Sequence, residues 1–406
     1  MQNMERRNAV KSISGKPQKV KLEEIKDSDQ EMMNIYLKAK EDSREENFIP
    51  NGSSVSKVVF VAPITGKYSA IGKALLDGVN MAMSDSGSDK IILIPIDSNE
   101  VSNDETSSIL AKENPDVVLG PLFAVDVQEI LGSFRKISAP IITFSNDESL
   151  TKYKNIEIFG VSQSGKIKAA MNFAKANNRS NVGILLKSDA GSEVASENIK
   201  KYAKQSKMAV MASVFYGAGE QRISSAIKTL SNNLSVIFNI DKNGSPYLIN
   251  VKDAKTALNT TKQLRNMDFI ITDAGGNSLD ELLSEMLNQG LLNRDVMIIS
   301  ISDQIGTSLI AEKVYYVGYD TEKMNIFEDL YKSRYKAKPT VFSAMGYDAM
   351  GVVSTMLLQG KFSYNGLHDS SGFIGVMGDF KFTNSRIVER SYTVYKAQGV
   401  KIEKVI

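Results

Sequence analysis

Short apolar runs alternate with helix-like segments along most of this chain, and that alternation limits the possible folds more than any other property. Val58–Pro63 is a continuous apolar run rich in β-branched residues, which is typical of a strand buried on both faces. Lys73–Met83 then places apolar residues at helical spacing. The alternation predicts right-handed crossovers and a parallel sheet. Further strands of this sheet are predicted at Ile91–Ile96, Val117–Leu119, Ile141–Phe144 and Ile156–Phe159.

The same pattern restarts after residue 161, so we predict a second sheet of similar design. The fold class is therefore α/β, with two doubly wound parallel-sheet lobes joined by a hinge. The predicted helices here are Lys166–Asn177, Val194–Gln205, Ile223–Leu230 and Leu279–Leu287, with strands at Val182–Leu186, Val210–Phe215, Phe269–Thr272 and Val296–Ile301. Ser235–Ile240 and Pro246–Val251 predict a hairpin, and the tail predicts helices at Met324–Tyr335 and Tyr347–Leu358 followed by short strands, the last at Val388–Tyr395.

The chain divides into a polar N-terminal segment and two discontinuous lobes. Residues 1–54 are rich in Lys, Glu, Asp, Ser and Gln and carry no apolar region of a secretion signal, so they predict a disordered tether. We expect the first lobe to comprise residues 55–161 plus 304–362. The second lobe is expected to comprise residues 162–303 plus 363–406.

Composition argues against several classes of function. The 49 basic and 47 acidic side chains leave a net charge of +2, which does not favour a nucleic acid as partner. Cysteine is absent, and the single histidine, His368, lies in a Gly/Ser-rich stretch that predicts an exposed loop. No apolar run approaches the ~18 residues that cross a bilayer. We therefore expect no catalytic residue, no metal site, no cofactor and no transmembrane segment; an enzyme is the least favoured interpretation.

Loops after the predicted strands are the candidate functional sites, because ligands of open parallel sheets bind at the carboxyl ends of strands. The loop from Ile64 to Gly72 is not a phosphate-binding loop; it either presents N–H groups to an anion or simply makes a tight connection. Phe123 either stacks on a ligand or packs in the core. Ser145-Asn146-Asp147 and Asp273 carry polar groups that either face a ligand, for Asp273 a cation or ammonium group, or cap the next helix.

Several motifs, in this order, resemble those of type I periplasmic binding proteins, and most closely the penicillin-binding protein activator branch of the leucine-binding family. The opening strand, loop and helix of that family resemble Val58–Ala82. The other matching segments are Val118–Leu122, Ile141–Asp147 with Phe159-Gly160, Met345–Ala349 and Gly372–Phe382.

The resemblance implies a non-enzymatic Venus-flytrap protein located in the periplasm, although no export signal is visible. Carried over by position, the cleft would be lined by Ile64, Thr65, Gly66, Tyr68, Leu122, Phe123, Ala124, Ser145, Asn146, Ser188, Asp189, Ala190, Asp273, Ala274 and Gly275.

This chain departs from the amino-acid-binding members of the family. Phe123 and Ala124 stand where those members have a small hydroxyl residue, and Ala190 stands where many have an aromatic residue. These departures favour an activator that contacts a penicillin-binding protein and supports peptidoglycan synthesis. The alternative is a substrate-binding protein that delivers amino acids or similar small solutes to an ABC permease.

Overall fold

The computed structural model describes residues 55–133, 139–233, 235–240, 246–248, 263–360, 362–398 and 401–405. The predicted tether at residues 1–54 and the predicted hairpin turn at residues 241–245 lie outside the described residues. Described strands, in chain order, are β1 (Ser56–Ala62), β2 (Ile91–Asp97), β3 (Val117–Leu119), β4 (Ile141–Thr143), β5 (Ile156–Ile158), β6 (Asn181–Lys187), β7 (Ala209–Tyr216), β8 (Ser235–Ile240), β9 (Pro246–Leu248), β10 (Gln263–Asn266), β11 (Phe269–Thr272), β12 (Met297–Ser300), β13 (Val314–Gly318), β14 (Phe373–Gly375), β15 (Gly378–Phe382), β16 (Val388–Arg390), β17 (Thr393–Gln398) and β18 (Lys401–Lys404).

The helices connect most of these strands. In chain order they are α1 (Ser69–Asp85), α2 (Asn103–Glu113), α3 (Ala124–Ser133), α4 (Gln163–Ala176), α5 (Ala190–Gln205), α6 (Glu220–Asn232), α7 (Asn277–Asn288), α8 (Thr321–Tyr335), α9 (Val341–Leu358) and α10 (Tyr364–Leu367). Two compact units result: the first comprises the chain up to Gly160 with Glu322–Val388, and the second comprises Val161–Thr321 with Glu389–Ile406.

The first unit is built on a five-stranded sheet with the order β2–β1–β3–β4–β5. Every neighbouring pair is parallel, as the strand–helix alternation predicted. A segment from the last part of the chain lies beside β5, where Ile387 forms an isolated parallel bridge with Ile158. The small sheet β14–β15–β16 belongs to this unit, and its Phe380 and Phe382 contact Phe159.

Helices α1 and α9 of the first unit touch backbone to backbone. A Cβ on Gly78 would lie 1.9 Å from the carbonyl oxygen of Ser343, and one on Gly346 would lie 2.2 Å from that of Leu75. Glycine at both positions permits this approach. By length and composition α9 could span a membrane, the one such helix among the described residues, yet 61% of it is buried. Its packing on α1 identifies it as a core helix.

The second unit contains a seven-stranded sheet with the order β18–β17–β13–β12–β11–β6–β7. The strands β13, β12, β11, β6 and β7 are parallel to their neighbours. Beyond β13, the strands β17 and β18 extend the sheet at one edge and pair antiparallel. Ile270 and Ile271 of β11 belong to different apolar clusters, so both faces of this sheet are covered. The predicted hairpin is present as β8 and β9, which pair antiparallel, and β10 joins β8 on its other side. The chain is therefore α/β with two sheets that are mainly parallel, as predicted.

The division between the units differs from the predicted one in the last third of the chain. Residues 304–321 were expected in the first lobe, but β13 lies in the second sheet, paired with β12 and β17. Residues 363–388 were expected in the second lobe, but they form α10 and β14–β16 of the first unit. The predicted single strand at Val388–Tyr395 is wrong: it divides into β16 and β17, which belong to different sheets.

Candidate functional site

The loop after β1 is held by a carboxylate at the end of the neighbouring strand. Asp97 accepts hydrogen bonds from the backbone N–H groups of Ile64 (2.9 Å) and Asn99 (3.0 Å), and Asn99 also donates from its side chain to Thr65 (3.4 Å). Burial opposes ionisation of Asp97, but hydrogen bonds from Thr65, Asn99 and Ile64 outweigh it and lower its pKa. The sequence analysis missed Asp97, although it follows the rule that polar residues end buried strands.

Aromatic side chains from two loops meet at the carboxyl edge of the first sheet. The rings of Tyr68 and Phe123 lie 4.9 Å apart, edge to face, and Lys67 approaches the Tyr68 ring at 5.1 Å. Tyr68 is 42% exposed and Phe123 is half-buried, while Leu122 is buried in the core. Ala124 is the first residue of α3. An apolar aromatic surface therefore occupies the position where a ligand-binding hydroxyl was considered.

The loops after β3 and β4 owe their conformation to local contacts. Gly120 has a φ of +101°, and a Cβ there would lie 2.0 Å from the carbonyl oxygen of Val61, so glycine is required at this close approach. Ser145 is buried, and its hydroxyl accepts from the N–H of Asp147 (3.2 Å). Asp147 in turn caps the short helix that follows, accepting from Ser149 (2.9 Å). For Asp147 the capping interpretation is confirmed; Asn146 beside it is exposed.

In the second unit, Asp273 is the centre of a hydrogen-bonded cluster at the carboxyl edge of the sheet. Its carboxylate accepts from the backbone N–H of Lys187 (3.0 and 3.2 Å), the hydroxyl of Ser192 (2.6 Å) and the hydroxyl of Tyr216 (3.4 Å). Burial, reinforced by the Asp273 charge, raises the pKa of Tyr216, which keeps this phenol a donor. Asp273 thus joins β6, α5 and β7 to the end of β11. Ser192 and Tyr216 were not among the predicted residues.

The other predicted residues of this edge have structural partners as well. Asp189 is the N-cap of α5 and accepts from the N–H of Ser192 (2.8 Å), and these hydrogen bonds lower its pKa. Ser188 donates its N–H to the carbonyl of Tyr216 (2.9 Å). Ala190 begins α5; Ala274 and Gly275 are buried, and a Cβ on Gly275 would lie 2.1 Å from the Ser302 hydroxyl.

A buried lysine lies at the start of α4 in the second unit and also escaped the sequence analysis. Lys166 is 2.5 Å from the carboxylate of Asp303, just beyond β12, and 5.0 Å from the ring centre of Tyr319. Tyr315 and Tyr316 pack against opposite faces of the same sheet. No signal in one sequence pairs Lys166 with Asp303, because 137 residues separate them.

The prediction that the His368 side chain is exposed is wrong. Its side chain is only 6% exposed, and its Nε2 lies 3.3 Å from the carboxylate of Glu157 on β5, itself 2% exposed. Arg386 Nη1 lies 3.8 Å from the same carboxylate. Burial raises the pKa of Glu157 to about 7, although the charges of His368 and Arg386 act in the opposite direction.

The chemistry available in these two sets of loops is hydrogen bonding and aromatic contact. Across the parts of the chain that the structure describes, no group of three His, Asp or Glu side chains is arranged to hold a metal ion.

Comparison with known proteins identifies the fold. Residues 56–360 match the family model described as "Periplasmic binding protein". No curated protein matches the sequence significantly.

Among solved structures, the C-domain of LpoA from Haemophilus influenzae, described as a regulator of PBP1A, matches with a TM-score of 0.63 at 15% identity, over 86% of this chain and 100% of that one. Full-length LpoA from the same organism matches at 0.63 and 16% identity, over 93% of this chain but only 64% of its own length. A putative branched-chain amino acid ABC transporter protein from Rhodospirillum rubrum matches at 0.67 and 13% identity, over 86% of this chain and 100% of that one.

Proposed function

The chain belongs to the periplasmic binding protein family, and from that premise we propose that it is a non-enzymatic protein of the cell envelope that regulates a penicillin-binding protein. It would act in the periplasm by direct contact with that enzyme and so support peptidoglycan synthesis. The residues predicted to line its cleft would then shape and stiffen the two units and would not select an amino acid.

The observation that carries this proposal is the environment of Asp273. This carboxylate was the best candidate in the second unit to receive an ammonium group. It already accepts hydrogen bonds from the Lys187 backbone and from the hydroxyls of Ser192 and Tyr216. An ammonium group would have to displace these donors, and a buried donor left without a partner costs ~1–3 kcal/mol.

The first unit supports the same conclusion. Tyr68 and Phe123 contact each other at the carboxyl edge of the sheet and present rings where a hydroxyl would be needed to bind an α-carboxylate or amine. The similarity to the LpoA C-domain, described as a regulator of PBP1A, extends over 86% of this chain. A regulator needs a docking surface and no small solute, which agrees with both observations.

The test has two parts, performed on the full chain. Calorimetry and thermal unfolding with each of the common amino acids should give no heat of binding and no change in melting temperature, because only a ligand of the folded state stabilises it. Binding to a purified bifunctional penicillin-binding protein should be saturable, and should increase its peptidoglycan synthesis. Clear stabilisation by one amino acid together with no effect on the synthase would refute the proposal.

The second candidate function is solute capture for an ABC importer. It is favoured by the match to the Rhodospirillum rubrum protein, whose TM-score of 0.67 slightly exceeds the 0.63 of the LpoA C-domain. On this alternative, one small solute should raise the melting temperature of the wild-type chain, and Asp273→Ala should abolish that increase. The same variant, at a temperature where circular dichroism shows it folded, should leave synthase activation unchanged, because Asp273 takes no part in docking on either hypothesis.

A further inference from the structure

Positive charge is concentrated in the segment of the second unit that begins with α4 and ends just after α5. Residues 163–207 carry nine basic and three acidic side chains, a net charge of +6 in a chain whose net charge is +2. The three acidic residues, Asp189, Glu193 and Glu197, lie before α5 or in its first half. Residues 198–207 contain four lysines and no acidic residue. The basic side chains are therefore gathered toward the end of the helix.

The fold places the C-terminal ends of α4 and α5 side by side. Apolar residues of both helices belong to one cluster on the same face of the second sheet. Each helix leads directly into a strand, and these strands, β6 and β7, are parallel neighbours with Asn181 opposite Ala209. The N–H of Ala209 donates to the carbonyl of Ser180 (2.8 Å). After the helices, Asn178 (φ +60°) and Lys207 (φ +59°) turn the chain toward the strands, so both helix ends lie at the amino edge of the sheet.

Four lysines at these two helix ends form an exposed group without counter-ions. Each side chain is exposed, and across the described parts of the chain none of the four forms an ion pair. We call this group the lysine patch; it consists of Lys175 on α4, Lys201 and Lys204 on α5, and Lys207 just beyond α5.

The acidic side chains at the same edge of the sheet have other partners. Asp295 pairs with Arg179, 2.8 Å from its Nη2. Asp268 accepts hydrogen bonds from the backbone N–H groups of Ser180 (3.1 Å) and Asn181 (2.9 Å). Neither carboxylate forms an ion pair with the lysine patch. The patch therefore presents uncompensated positive charge, which attracts an anionic partner.

Helix stabilisation explains only half of the lysine patch. Lys175 and Lys204 lie in the last turns of their helices, where a positive charge stabilises the negative end of the helix dipole. Lys201 lies earlier in α5 and Lys207 lies beyond it, so the dipole does not account for these two. Tyr202 is half-buried and Met208 is buried, so neither offers an exposed apolar side chain beside the patch. Contact with a partner would therefore be electrostatic.

We propose that the lysine patch binds the surface of a membrane that contains anionic phospholipids. Lysine side chains attract phosphate headgroups as flexible point charges and require no fitted pocket. The choice of a membrane over a nucleic acid rests on the cell-envelope location proposed above. The binding itself needs no penicillin-binding protein, so this proposal and the proposed function can fail separately.

The test is co-sedimentation of the full chain with lipid vesicles. Vesicles of phosphatidylcholine alone should not bind it, whereas vesicles with equal parts of phosphatidylcholine and phosphatidylglycerol should. Binding should disappear in about 1 M sodium chloride, where charges are screened beyond ~3 Å. One lysine near an anionic surface contributes a factor of about 5 to the affinity, so removing all four should weaken binding ~100-fold or more. The variant combines Lys175→Gln, Lys201→Gln, Lys204→Gln and Lys207→Gln.

A matched control variant changes four exposed lysines outside the patch. Both variants lower the net charge from +2 to −2, so a difference between them reports where the charges lie and not how many there are. Circular dichroism confirms that both are folded, and the control should bind anionic vesicles within ~3-fold of the wild-type chain. The control combines Lys90→Gln, Lys112→Gln, Lys152→Gln and Lys228→Gln.

Four results would overturn the proposal. They are equal binding of the wild-type chain to neutral and anionic vesicles, binding that persists at high salt, equal binding by the two variants, and a patch variant that loses thermal stability while its vesicle binding is unchanged. A DNA oligonucleotide at an equal concentration of phosphate should leave the protein on the vesicles. Its displacement would identify a nucleic acid as the preferred partner and would also overturn the proposal.

Discussion

At the scale of single residues, carboxylates organise the loops of both units. Asp97 holds the loop after β1, Asp273 joins three elements of the second sheet, and the buried Asp348 accepts from the backbone N–H of Val376 (2.7 Å) in the turn between β14 and β15. Each carboxylate accepts from a backbone N–H group at the end of a strand or in the loop that follows a strand. Asp97 and Asp273 stand where predicted strands end, but the sequence does not show the partners of the three carboxylates, which lie 28 to 86 residues away.

Replacing Asp273 by Asn should destabilise the second unit. The amide offers one acceptor oxygen where the carboxylate serves three donors, so we expect a loss of ~1–3 kcal/mol in the free energy of unfolding, measured by urea titration. The control is Glu281→Gln, an exposed carboxylate on α7 of the same unit, which should change stability by less than ~0.5 kcal/mol. Equal effects of the two substitutions would contradict a structural role for Asp273.

Glu157 should make the stability of the first unit depend on pH. Its pKa is raised from 4.5 to about 7 on folding, so the folded state binds the extra proton and stability falls as the pH rises through that interval. Glu157→Gln removes this penalty. The stability difference between variant and wild type should grow in favour of the variant by ~3 kcal/mol between pH 4.5 and pH 8.

Denaturant titrations across this pH range provide the measurement. Glu148→Gln, an exposed carboxylate in the same unit, serves as the control and should show no such trend. A difference between Glu157→Gln and wild type that stays constant with pH would contradict the raised pKa of Glu157 in the folded state.

At the scale of elements, strands buried on both faces were predicted well and late strands poorly. The runs that became β1, β3 and β11 are short, apolar and bounded by turn residues, so local pattern is sufficient to identify them. Strand β13 was missed because two of its five residues are Tyr315 and Tyr316, whose polar hydroxyls make the run less clearly apolar than that of β1, although the two rings pack on opposite faces of the sheet. Periodicity reports which residues are buried, and not which strand they pair with, so β16 and β17 were joined into one strand.

The contact of α1 with α9 should be intolerant of a single methyl group. Gly346→Ala places its Cβ about 2.2 Å from the carbonyl oxygen of Leu75, so the helices must separate, at a cost of ~1–3 kcal/mol or more. Gly351→Ala, on the same helix, meets no atom within 4 Å and should stabilise by up to ~1 kcal/mol. Thermal unfolding of both variants checks the prediction, and a stabilising Gly346→Ala would show that the two helices are not in close contact.

At the scale of the whole molecule, each unit is assembled from separate stretches of chain. The sequence indicated two lobes with repeated crossings, but it misplaced residues 304–321 and 363–388. Hydrophobic pattern is a local property, whereas membership of a unit depends on which distant surface a segment covers. The same reason explains why a cavity of about 310 Å³ in the first unit was not predicted: Asp116, Glu157 and Leu367 all line it, yet they are far apart in the sequence.

Ending the chain at Asp320 should prevent the first unit from folding. Such a chain keeps all five strands of the first sheet but lacks α9, whose backbone contacts α1 at Gly78. We expect no cooperative unfolding transition from this unit, measured by circular dichroism. A chain ending at Gln398 loses β18, an edge strand, and should keep both units folded. A cooperative transition of normal size from the first unit in the shorter chain would contradict this assignment.

The interleaving of the two units also governs when they can form. Residues leave a ribosome or a translocation channel from the N-terminus onward, and at Gly160 the first unit still lacks Glu322–Val388. The second unit in turn waits for Glu389–Ile406, which supply β17 and β18. Each apolar core therefore stays incomplete until the late segment of its own unit has been synthesised.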